Sequence, residues 1–183
     1  DVNNLINKAY NISEVEEDLI DYCLEVSRYQ FQDSKQNKIM RRASENELRK
    51  YAKIFYDDFS QIYDENGEYF QIDIFPLNYF VAMNFKIVQK RPSENERINL
   101  IYNETDEKKI FSILSKNLSL WSVTNDIFIQ KDIKGFEKNS FYIIKPNEIK
   151  CWHRAIARYD LAELSQLIEN AELEQLKKEY NGE

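Results

Sequence analysis

Between Glu68 and Ile87 the apolar residues fall on every second position, and this alternation constrains the fold more than any other stretch of the chain. Ile72 and Ile74 alternate with Gln71 and Asp73, and Pro76 interrupts. Leu77, Tyr79, Val81, Met83, Phe85 and Ile87 then line one face of a strand whose other face carries Asn78, Asn84 and Lys86. Neighbouring side chains of a strand point to opposite faces, so the pattern demands a sheet with one buried face. That face must be covered by another layer, and the flanking segments read as helices.

Two of these helices announce their starts. Ser13 with Glu16, and Ser44 with Glu47, match the capping box, in which each side chain satisfies the other residue's free backbone amide. Val15, Leu19, Tyr22, Val26 and Tyr29 give an apolar stripe for a helix over about 14–29. Leu48, Tyr51, Ala52, Phe55, Phe59 and Ile62 do the same over about 45–63, and Asp64 to Gly67 reads as the turn that ends it. Strands are expected at 69–75, 77–89 and 98–102, then a helix at 106–118 capped by Asp106.

Two β-like runs, 127–131 and 141–145, pair across a charged turn holding Gly135, with Asp132 to Gly135 forming that turn. Asn147 follows Pro146 and is placed to N-cap a helix over 148–159, with Ile149, Trp152, Ile156 and Tyr159 on one side. Past Asp160 the stripe shifts to Leu161, Leu164, Ile168 and Ala171. A straight helix would bring Glu163 into the first stripe, so a break is expected, with Asp160 and Glu163 starting a new helix. The fold class that results is α+β: a small, mostly antiparallel sheet packed with N-terminal helices and a C-terminal helical segment. Residues 1–159 form one domain and 160–183 a helical extension.

Composition narrows the function. A chain of 183 residues can bury one sizeable core. Twelve Tyr and eleven Phe against three Gly make that core or an interface aromatic, and leave little glycine for phosphate loops. A net charge of −7 excludes a surface that is basic throughout. Cys23 and Cys151 read as reduced, buried thiols, and no segment reads as a membrane span or secretory signal, so a cytoplasmic setting is expected. Abundant Asn, Lys, Ile, Tyr and Phe accord with an AT-rich bacterial genome.

The residues that can carry chemistry cluster late in the chain. Lys131, Lys134, Lys138, Lys145, Lys150, His153, Arg154 and Arg158 form a basic segment able to neutralise phosphates, with Trp152 or Tyr142 available to stack on a base. Arg41 and Arg42 can extend it. The competing reading pairs these cations with the chain's own carboxylates. His153 is the only histidine, and Cys151 points away from it on a helix, so no two-histidine metal site and no Cys–His pair arises. Asp126 with Asp132 and Lys134 loosely fits the carboxylate and D-x-K arrangement of metal-dependent nucleases.

Three functions follow from these features. The leading expectation is a noncatalytic accessory subunit or interaction module, binding a larger protein or a second copy of itself, with Trp152, Leu164 and Ile168 as candidate contacts. The alternative is a nucleic-acid-binding accessory protein using the basic segment at 131–158. The third is a metal-dependent nuclease. The first two call for no cofactor and no metal.

Overall fold

The computed structural model describes residues 2–64, 67–102, 132–137 and 139–181. Helix α1 spans Val2–Ala9 and α2 spans Glu14–Tyr22; α2 continues through a π-helical turn at Cys23–Ser27 into the short α3 at Arg28–Gln30. Helix α4 spans Glu45–Asp64 and α5 spans Arg154–Asn181. Strands β1 (Tyr69–Pro76), β2 (Phe80–Val88), β3 (Ile98–Leu100), β4 (Ile133–Glu137) and β5 (Ser140–Pro146) form one sheet in the order β3-β1-β2-β5-β4. Only the β1–β3 pairing is parallel, so the fold is α+β with a mostly antiparallel sheet. Among the described residues no helix is long and apolar enough to cross a membrane.

Both capping boxes form. Ser13 and Ser44 each accept from the amide of the glutamate three residues on, and that glutamate accepts from the serine amide at 2.8 Å. Gly67 takes φ +72°, the left-handed turn that glycine adopts without a Cβ clash, and the chain reverses there into β1.

The alternating residues face inward as their spacing requires. Phe70, Ile72 and Ile74 of β1, Val81, Met83 and Phe85 of β2, and Phe141 and Ile143 of β5 pack with Leu48, Tyr51, Phe55 and Phe59 of α4. The core is aromatic: Phe85 stacks on Phe141 with centroids 4.5 Å apart, and Phe55 lies 4.7 Å from Phe85. The strand expected from Leu77 begins instead at Phe80, because Leu77 to Tyr79 form the β1–β2 connection and Tyr79 stands 80% exposed. On the sheet's other face Lys86 donates to the buried Asp73 at 2.5 Å.

Several expectations are corrected. Gly135 lies inside β4, paired with Tyr142, and not in a turn; its missing side chain leaves room for the Tyr142 ring, which a Cβ would approach to 2.3 Å. The helix at 106–118 and the strand at 127–131 lie outside the described residues. Asn147 caps no helix. Its amide carbonyl accepts from Ala43 N at 3.1 Å and its NH2 donates to Leu77 O at 2.7 Å, tying three segments together. Ile149–Cys151 is a 3-10 turn, and α5 starts only at Arg154.

The break expected at Asp160 is absent. Helix α5 runs on in a single phase, because its buried stripe is Ala157, Asp160, Leu164 and Ile168, three or four residues apart. Tyr159, expected inside, is exposed. Asp18 disguises α2 in the same way: the buried face holds Asp18 and, in the π turn, Val26, while Val15 and Leu19 of the expected stripe face solvent.

Candidate functional site

Asp160 is 1% exposed and Lys145 6%, so an ion pair lies inside the fold. Lys145 follows Phe141 and Ile143 on the inward face of β5, and Lys134 faces the same way from β4. Lys145 donates through a short contact to Asp160 Oδ2, which also accepts from the Tyr51 hydroxyl at 2.6 Å. Lys134 Nζ lies 3.2 Å from Asp160 Oδ1, 3.3 Å from Asp132 and 2.6 Å from Glu163.

The aromatic groups close this network. Lys145 Nζ lies 5.7 Å above the Tyr51 ring and 6.0 Å from Trp152, near enough for cation–π attraction. Trp152 is buried and donates its indole N–H to Pro146 O at 2.8 Å. Burial opposes the charge of Lys134, but Glu163, Asp160 and Asp132 outweigh it and hold the ammonium above the ordinary lysine range. The Tyr51 phenol is pushed far above its usual value by burial and then by the Asp160 carboxylate, so it acts as a hydrogen-bond donor and not as an acid.

A second cluster docks α2 onto α5. Asp18, 3% exposed, receives Arg158 Nε at 2.5 Å and Arg154 Nε at 3.2 Å, with Glu14 3.6 Å from Arg158. Lys150 pairs with Glu148 at 2.6 Å, and Arg41 forms a two-pronged pair with Glu47 at 2.5 and 2.9 Å. Arg41, the amide and hydroxyl of Ser44 overcome the opposing effect of burial and lower Glu47 to about 2. Of the basic segment, Lys134, Lys145, Lys150, Arg154 and Arg158 therefore each face a carboxylate of the same chain. Lys131, Lys138 and Asp126 lie outside the described residues.

His153 performs a helix-capping role. Its Nδ1 accepts from the Ala155 amide at 3.2 Å, its ring meets Tyr22 edge-on at 5.3 Å, and its Nε2 lies 3.7 Å from Glu25. Burial lowers its pKa below 6.5, against the pull of Glu25, Asp18 and Asp21. A folded-state value below the unfolded one means that the neutral ring's stabilisation is fully present above 6.5 and is lost as pH falls through the folded value. Urea unfolding at about pH 7.5 and about pH 5.5 should therefore show less pH dependence in His153→Asn, which keeps a capping acceptor but cannot titrate. An identical pH dependence in both proteins would remove His153 as the source.

Of the candidate partner contacts, Trp152 and Leu164 are fully buried within the chain's own fold, and Ile168 is half-buried against the same cluster. Cys23 is exposed and Cys151 half-buried, contrary to the expected buried pair; both are free, and burial, then Glu148, pushes the Cys151 thiol upward. Among the described residues, no group of three or more His, Cys, Asp or Glu side chains is placed to hold a metal ion.

Two surfaces escaped the sequence reading. Leu5, Ile6 and Tyr10 in and after α1, and Val15, Leu19, Ile20 and Leu24 along α2 and its π turn, are exposed. Glu16, Glu17, Asp21 and Glu25 stand exposed among them. The second surface is a cationic groove between α4 and the segment leading into β3. Its signal was present as Arg49, Lys50 and Lys53, spaced for one side of a helix.

Together, fold and charge arrangement define an α+β protein in which the buried Asp18 and Asp160 anchor helices. No family model matches the chain, no curated protein resembles it significantly in sequence, and no solved structure matches it.

Proposed function

We propose that the chain is a noncatalytic interaction module, an accessory subunit that docks a larger protein in a cytoplasmic, bacterial complex. The observation that carries this reading is the exposed apolar surface of α1 and α2, with Leu5, Leu19 and Leu24 each more than half exposed. Single exposed leucines are ordinary, but a run of them along adjoining helices is the usual mark of a contact surface. The acidic residues between them select the partner: an apolar patch bordered by lysine and arginine. The free thiols accord with a reducing compartment.

The other readings have less support. A nucleic-acid surface at 131–158 would have to release Lys134, Lys145, Arg154 and Arg158 from carboxylates they already face. A nuclease built on Asp132 and Lys134 would have to free a lysine held among three carboxylates. Neither release is required for docking through α1 and α2.

Replacing Leu19 and Leu24 together with Asp should weaken partner retention about tenfold or more, because both are predicted contact anchors. The measurement is co-purification from the native host, comparing the wild-type and substituted chains at matched folding by circular dichroism. Equal recovery of the same partner by both would remove this surface from the proposal, and a wild-type chain that remains alone would count against the function itself.

A further inference from the structure

The groove between α4 and β3 has a volume of about 380 Å³, within the range of small-molecule sites. Arg49, Lys50, Lys53 and Tyr56 line it from α4, and Arg97 faces them with Glu94 from the opposite side. Four cations line the groove against Glu94 in the lining and Asp57 paired with Lys53, which leaves a local excess of positive charge in a chain whose net charge is −7. We propose that this groove binds a small molecule carrying linked phosphate groups, a surface and a ligand distinct from the protein-docking face.

The walls are held in place by contacts independent of a ligand. Arg49 Nη1 donates to Ile98 O at 2.7 Å, pinning α4 to β3. Arg97 lies 5.9 Å over the Tyr56 ring, and Ser93 and Glu96 fix the turn just before it through a capping box. Lys50 and Arg97 differ from the cations of the buried network in pairing with no carboxylate among the described residues, and Lys53 is held only by the exposed Asp57 at 2.7 Å. An exposed pair of that kind contributes little and exchanges readily.

Phosphate suits this set better than a single carboxylate. Cations from two opposing walls can divide two linked anionic groups between them, and the arginine fork adds directed donors to the lysine point charges. Glu94 in the lining repels a polyanion, and the small volume suits a short ligand better than a nucleic-acid backbone.

Calorimetric titration of the full chain at low salt with inorganic pyrophosphate tests the assignment, with orthophosphate and a short single-stranded oligonucleotide as the other arms. The expected result is one pyrophosphate per chain, bound about tenfold or more tightly than orthophosphate, and a similar loss in Lys50→Glu/Arg97→Glu. Lys50→Gln/Lys53→Gln, which leaves the Arg97–Tyr56 contact intact, should show a smaller loss in the same direction. Absence of pyrophosphate binding, unchanged affinity in both variants, or a preference for the oligonucleotide would each overturn the proposal.

Discussion

Asp160→Ala should lower the unfolding free energy by about 3–5 kcal/mol, the cost expected when one partner of a buried ion pair is removed. The substitution leaves Lys145 inside the core and takes the acceptor from Tyr51 and one of three carboxylates from Lys134. The loss comes mainly from stranding a charge where water cannot reach it, and not from the net worth of the pair. Lys145→Met/Asp160→Leu should accordingly recover much of the stability, since neither side chain then needs a counter-charge. Urea denaturation followed by circular dichroism checks both. If Asp160→Ala unfolds at the wild-type midpoint, the network contributes nothing to the fold.

Trp152→Ala should cost a comparable amount, about 3–5 kcal/mol, the range for emptying a large aromatic site. The indole fills the junction between β5 and α4, 4.9 Å from the Tyr51 ring, and its N–H satisfies Pro146 O. Trp152→Phe retains most of the volume but loses that donor, so its cost should be smaller. A Trp152→Phe protein as unstable as Trp152→Ala would shift the weight from packing to the hydrogen bond.

These two residues show how far the candidate site was legible. Trp152 stood out in the sequence on an apolar stripe read as one helix; in the structure it precedes the helix that starts at Arg154 and is buried in the chain's own core, while Tyr159 of the same stripe is exposed. Lys134, Lys145, Arg154 and Arg158 were recognisable as a group of cations, but their role depends on Asp160, which read as the start of a new helix, and on Asp18, which no pattern singled out. A buried aspartate inside an apolar stripe shifts the apparent phase of a helix, so Asp160 hid the continuity of α5 and Asp18 the buried face of α2.

The cationic groove was missed for a different reason. Arg49, Lys50 and Lys53 look like a solvated helix face until β3 brings Arg97 opposite them, a contact spanning more than forty positions.

Local chemistry determined what could be read in order: the capping boxes at Ser13 and Ser44, the glycine turn at Gly67, and the period-two strands, all of which depend on neighbours a few residues away. The α+β class followed from them. Tertiary structure alone decided which polar residues lie inside, because burying a carboxylate becomes tolerable only when cations distant in sequence arrive beside it.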